Sequence, residues 1–135
     1  MRVRLSAESV HNELVRRVEE YSGQDLMACY QCGKCAAGCP VAFAMDMLPS
    51  QVIRYAQLGL VERLTESKTI WLCAACQTCY TRCPKGVDLS RIMEALREIV
   101  MFEQGSHLNY DALPAEELME WPQQAFIGGL RKYTV

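Results

Sequence analysis

Cys29-Tyr-Gln-Cys32-Gly-Lys-Cys35-Ala-Ala-Gly-Cys39-Pro40 returns 44 residues later as Cys73-Ala-Ala-Cys76-Gln-Thr-Cys79-Tyr-Thr-Arg-Cys83-Pro84, and these two stretches hold all 8 cysteines of the chain. Both follow C-x2-C-x2-C-x3-C-P, the spacing that holds cubane iron–sulfur clusters. A cubane needs four thiolates directed at the corners of a tetrahedron. Three cysteines at i, i+3 and i+6 let one curled loop reach three irons, and the fourth must arrive from another direction. In two-cluster ferredoxins the fourth cysteine of each run serves the other cluster. The expected sites are therefore Cys29, Cys32 and Cys35 with Cys83, and Cys73, Cys76 and Cys79 with Cys39. The expected cofactors are two [4Fe–4S] clusters, and the proline after each fourth cysteine turns the chain away.

Eight cysteines in 135 residues also raise disulfides and zinc. Disulfides need an oxidising compartment, and the opening Met1-Arg-Val-Arg-Leu5 runs into polar residues without the apolar centre of a secretory signal. A zinc site takes four sulfurs from two C-x2-C knuckles, whereas each run here supplies three close cysteines and a fourth before proline. Clusters are the reading the spacing favours, with a zinc-stabilised interaction module as the rival from another class.

Length predicts one domain, with arms. No stretch approaches the roughly 20 apolar residues that span a bilayer, so the expectation is a soluble, cytoplasmic protein. The formal charge is −2 with neutral thiols. Eight thiolates and two 2+ cores add about −4, giving roughly −6. An acidic chain with no basic run is a poor partner for nucleic acid.

Hydrophobic spacing predicts helices around the cysteines. Residues 6–22 read as one helix, with Ser6 as N-cap, Glu8 in the first turn, a stripe of Val10, Leu14, Val18 and Tyr21, and Gly23 as its end. Pro49 suits the first turn of a second helix that carries Val52, Ile53 and Ala56 inward and ends at Gly59. A short turn over Leu60–Leu64 follows. Asp88 is the expected N-cap of a helix over 89–104, with Leu89, Ile92, Met93, Leu96, Ile99 and Val100 inward, Arg91, Arg97 and Glu98 in water, and Gly105 as C-cap. No segment alternates as a half-buried strand does. The fold class is thus mostly α, a helical ferredoxin: residues 1–25 an N-terminal helix or arm, 26–105 the ferredoxin domain, 106–135 a tail.

In that tail only 115–120 reads as helical, yet Leu108, Tyr110, Leu113, Trp121, Phe126, Ile127 and Tyr133 are too many apolar residues for a solvated linker. They pack back on the core or dock on another protein; we take the tail as a docking segment. His11 and His107 have no companion ligands in sequence and read as ordinary polar residues.

Within the loops, Gly33, Ala36, Ala37, Gly38, Ala74 and Ala75 let backbone N–H groups approach sulfur. Such hydrogen bonds help set cluster potentials over about −700 to +450 mV. Lys34, Arg82 and Lys85 either favour the more negative reduced state or are plain surface charges. Trp71 reads as core packing rather than a shield over a cluster. No glycine-rich phosphate loop and no defensible catalytic constellation accompanies the cysteines, so no catalytic residue is assigned. Two electron carriers without a catalytic group make a wire.

The doubled runs, the intervening Leu48-Pro-Ser-Gln-Val-Ile-Arg-Tyr-Ala-Gln-Leu-Gly59, the stretch Lys68-Thr-Ile-Trp-Leu-Cys-Ala-Ala-Cys-Gln-Thr-Cys79 and Cys83-Pro-Lys-Gly-Val-Asp88 together resemble the C subunit of heterodisulfide reductase. The resemblance covers roughly residues 20–110. It implies a helical ferredoxin fold with two [4Fe–4S] clusters on the eight cysteines. It further implies a small electron-transfer subunit of an oxidoreductase complex. Its partners would be a flavin- and iron–sulfur-bearing A-type subunit on one side and a cysteine-rich, disulfide-active B-type subunit on the other. The heterodisulfide-reducing and sulfur-oxidising branches of the family are both open, since no residue decides between them. The cysteine pattern alone is shared with iron–sulfur subunits of other dehydrogenases, succinate/fumarate- or glycolate-type, which is the alternative within redox chemistry.

Overall fold

The computed structural model of the protein describes residues 6–103, 114–124 and 127–128, and every regular element among them is helical. Two compact units divide the chain, Met1–Glu103 and Gln104–Val135. In the second, helix α9 (Ala115–Glu120) starts after Pro114, whose fixed φ suits a helix entry, as the sequence predicts. Gly105, His107 and the tail residues Leu108, Tyr110, Leu113, Phe126 and Tyr133 lie outside the described residues.

The first unit opens with a correction. The helix expected over 6–22 is two, α1 (Ala7–Val10) and α2 (Glu13–Ser22), broken at His11-Asn12. Asn12 prefers to cap rather than continue: its Oδ1 accepts the Val15 N–H at 2.9 Å, and its Nδ2 donates to the Gly59 carbonyl, also at 2.9 Å. Gly59 is required there, because φ is +74° and a Cβ would overlap the Ser9 carbonyl. The break turns the buried stripe by about one position, to Val15, Val18 and Ser22. Tyr21, expected inward, is instead exposed and lies 5.8 Å from the Arg17 guanidinium. Gly23, left-handed at φ 62°, ends α2 as predicted.

Helix α3 (Lys34–Ala37) sits inside the first cysteine run, and α4 (Pro49–Gln57) begins with proline in its first turn. Then come α5 (Val61–Thr65) and α6 (Thr69–Leu72), the latter running into Cys73. Helix α7 (Thr78–Thr81) sits inside the second cysteine run, and α8 (Leu89–Glu103) closes the unit. Asp88 caps α8 as expected, its Oδ1 accepting from the N–H of Ser90 at 2.9 Å.

The axis of the unit is α8, which packs against α2, α5, α6 and α7. Its residues Ile92, Leu96 and Ile99 are fully buried, among Val18, Leu26, Val52, Val61, Leu64 and Ile70 from the other elements. Each large side chain so buried contributes roughly 1.5–3 kcal/mol. This core lies beneath both cysteine loops and gives them a rigid floor.

One polar joint ties the two halves. Asp46, in the connector after the first run, accepts from the Ser67 hydroxyl at 2.7 Å, the Thr69 hydroxyl at 2.6 Å and the Thr69 N–H at 2.9 Å. It thereby caps α6, whose own N-cap residue Lys68 offers no side-chain acceptor. These donors hold the Asp46 carboxyl well below the usual carboxylate range.

Candidate metal centres

Each cysteine loop needs its backbone to curl, and the same positions curl it in both. Gln31 and Gly33 take positive φ, 62° and 77°, and 44 residues on Ala75 and Gln77 do the same, 50° and 59°. Alternating left-handed residues turn successive N–H groups toward one side, the backbone arrangement found around anions and iron–sulfur sites. After Gly33 and Gln77 the chain enters the one-turn helices α3 and α7, which pack on each other. That contact brings the two runs together and lets each reach across to the other.

Two small cavities result. The first is lined by Cys29, Cys32, Cys35 and Cys83, with Ser50 and Ile53 of α4 behind them. The second is lined by Cys39, Cys73, Cys76 and Cys79, with Ser90 and Met93 of α8 behind them. Every cysteine singled out in the sequence therefore lines one cavity. The sets are the crossed ones, three from one run and the fourth from the other. Leu89, 2 % exposed, lines both cavities and so stands between them.

None of the eight cysteines is in a disulfide. Four cysteines line each cavity, a donor set that suits a polynuclear group. The middle cysteines, Cys32 and Cys76, are exposed, and the other six are half-buried. Burial raises the Cys35 thiol and pushes Cys79 up to about 11, because a lone thiolate there loses its water. Bound iron reverses that preference, since a coordinating thiol is deprotonated outright. Cys76 is held low by the hydroxyl and N–H of Thr78, and the Val87 N–H donates to the Cys83 sulfur at 3.3 Å. The donor set and the curled backbone fit two [4Fe–4S] clusters.

Two side chains that sequence reasoning passed over hold the loops in place. Gln57, 6 % exposed, donates from Nε2 to the carbonyl oxygens of Leu26 and Cys29, both at 2.8 Å. Arg97, expected to face water, donates from Nη1 to the carbonyls of Ile70 and Cys73, both at 3.1 Å. The available signal was position: each is the ninth residue of the helix that follows its Cys-Pro. Trp71 departs from expectation the other way. It is 52 % exposed, not core, while its neighbour Ile70 is fully buried. Tyr30 and Tyr80 are exposed beside the loops, at positions that do not correspond in the repeat. Arg82 is an exposed side chain that lies across Gly38, where an added Cβ would come within 2.5 Å of its Cδ.

Residues 25–87 match the family described as a 4Fe-4S dicluster domain. The protein is accordingly a helical, ferredoxin-like carrier of two [4Fe–4S] clusters. Its relatives narrow the class. The iron-sulfur C subunit of the CoB–CoM heterodisulfide reductase of Methanopyrus kandleri is 39% identical over 89 residues, 65% of this chain and 46% of that one. The corresponding C 2 subunit of Methanocaldococcus jannaschii is 38% identical over 92 residues, 65% and 49% of the two chains. A protein of Archaeoglobus profundus, named as similar to the heterodisulfide reductase C subunit, is 35% identical over 102 residues, 72% and 54%. Over this segment the chain is related to the C subunits of heterodisulfide reductases, and it spans about half the length of these curated relatives.

Proposed function

We propose that the chain is the electron-transfer subunit of a heterodisulfide reductase or heterodisulfide reductase-like complex in the cytoplasm. In this reading it passes electrons between a flavin- and iron–sulfur-bearing A-type subunit and a disulfide-active B-type subunit, and performs no disulfide chemistry alone. The observation that carries it is the pair of adjacent cavities, each lined by four cysteines drawn from both runs. The names of the relatives, all C subunits or C-like, support the kind of complex. No helix among the described residues is long and apolar enough to cross a membrane.

When bound, the clusters supply one-electron transfer. The chain's residues do the rest. Cys29, Cys32, Cys35 and Cys83 hold one cluster, and Cys73, Cys76, Cys79 and Cys39 the other. Leu89 keeps water from the space between them. Cys32 and Cys76, the exposed ligands, give each site an outward edge at which a partner can exchange electrons. The tail, residues 106–135, serves as the docking segment, and residues 26–105 as the electron-carrying domain.

Anaerobic purification of the native complex tests the proposal. It should yield a flavin-bearing and a cysteine-rich subunit beside this chain, and the chain separated from them should hold about eight irons. Stoichiometric zinc without iron, or partners of a succinate- or glycolate-oxidising enzyme, would overturn it.

A further inference from the structure

The two halves grip their first cysteine with one device made from different side chains. Gln57 is the ninth residue of α4 and binds the carbonyls of Leu26 and Cys29. Arg97 is the ninth residue of α8 and binds the carbonyls of Ile70 and Cys73. Leu26 and Ile70 are 44 residues apart, as are Cys29 and Cys73. Each clamp therefore takes the oxygen of the first cysteine and that of the residue three before it. One clamp is neutral and the other carries a full positive charge.

We propose that Arg97 is a positioning residue that also sets potential, making the cluster held by Cys73 easier to reduce than the one held by Cys29. An electron delivered by a one-electron donor then comes to rest on the second-run site. The inference rests on the reading that each run holds a cluster, and deepens it by ordering the two. Reduction adds one negative charge to a site, and a fixed cation favours the more negative state. Arg97 acts through the Cys73 backbone from a half-buried position, where water screens it less than a surface charge.

Asp88, at the start of α8, is the opposing group: it is buried, and its charge acts on Cys79 of the second run. Its carboxylate accepts from the Ser90 hydroxyl and N–H and from the Arg91 N–H, and it is common to the wild type and Arg97→Gln, so the difference between the two reads Arg97 alone. On the first-run side Arg54 reaches the Gln57 Oε1 at 3.4 Å, yet it is an exposed residue, as are Lys34 and Arg82. Such charges are largely offset by solvent.

The test is an anaerobic redox titration of the full chain carrying about eight irons, followed by electron paramagnetic resonance. Two midpoints are expected, and Cys76→Ser should disturb the higher one. Arg97→Gln gives both halves the same clamp. It should lower the reduced-to-oxidised ratio of the second-run site about tenfold at fixed poise, about 59 mV for one electron, and bring the midpoints together. Arg97→Lys, which keeps the charge, should preserve most of the gap. Gln57→Arg should raise the lower midpoint.

Unchanged midpoints in Arg97→Gln would overturn the proposal, as would loss of the lower-potential signal in Cys76→Ser or a closed gap in Arg97→Lys. Should Arg97→Gln fail to assemble, a first-run midpoint that does not rise in Gln57→Arg overturns it equally. Failure of the underlying reading looks different: iron is absent, or Cys39→Ser and Cys83→Ser damage the wrong sites. The Arg97 measurement follows whichever cluster uses Cys73, whatever its fourth ligand.

Discussion

In the first cysteine run the two left-handed positions are filled by Gln31 and Gly33, in the second by Ala75 and Gln77. The backbone is the same and the residues are not. Glycine accepts positive φ freely, whereas another residue pays roughly 1–2 kcal/mol there. The second loop holds two such residues to the first loop's one and is the more strained. The clamps differ too, a neutral Gln57 against a cationic Arg97. So do the crossing points, Gly38 in one run and Arg82 in the other. Backbone repetition fixes where metal can sit, and side-chain divergence makes the two sites unequal.

The comparison breaks most completely at the fourth cysteines. Cys39→Ser should abolish the second-run cluster and spare the first, and Cys83→Ser should do the reverse. Iron should fall from about eight to about four per chain in each, with paramagnetic resonance identifying the survivor. Damage confined to the mutated cysteine's own run would show that the wiring is not crossed.

A smaller effect is expected at the neutral clamp. Gln57→Ala leaves two carbonyls without their donor at a buried place, a loss of about 1–3 kcal/mol. Guanidinium titration of the loaded protein, followed by cluster absorbance, should show the midpoint fall, and an unmoved midpoint would remove Gln57 from its supporting role.

Exchange of the left-handed residues gives a smaller shift still. Gly33→Gln should cost about 1 kcal/mol, and Gln77→Gly should gain less than that, because glycine also loosens the unfolded chain. The same titration reads both, and two changes of the same sign would contradict the shared backbone.

The joint at Asp46 is told apart by its dependence on pH rather than by its size. Its folded-state carboxyl is depressed, so its contribution is present above the ordinary aspartate value of about 3.9 and is lost as pH falls below it. Asp46→Asn should therefore destabilise the protein by a constant amount from pH 7 down to about 5. The gap to wild type should narrow only below about pH 4. A gap that shrank between pH 7 and 5 would point to another group.

Much of this was legible before any coordinate. The cysteine spacing names the eight cysteines that line the two cavities, and Asp88 with the stripe from Leu89 to Ile99 names the central helix, because capping and helical period are local. What escaped reading depends on partners far along the chain. Asn12 breaks a helix because Gly59, 47 residues on, needs its amide. Arg97 looks solvent-facing by period, yet its bonds go to Ile70 and Cys73, 27 and 24 residues back. Trp71 reads as core from its apolarity alone, but α6 is a single turn and buries only one side, Thr69 and Ile70. Aligning the helices rather than the cysteines would have paired Gln57 with Arg97.

The crossed lining of the cavities also fixes a calendar for biosynthesis. The second cavity lacks one of its four cysteines until Cys79 has been made, and the first until Cys83, four residues later. The first run cannot be completed as it leaves the ribosome, although Cys29 to Cys39 emerge early, whereas the second finds its distant partner Cys39 already made. Both sites become complete almost together, and α8, the floor beneath them, is the next segment to appear. Iron–sulfur assembly machinery thus meets either an open chain with no finished site, or a nearly whole fold with two.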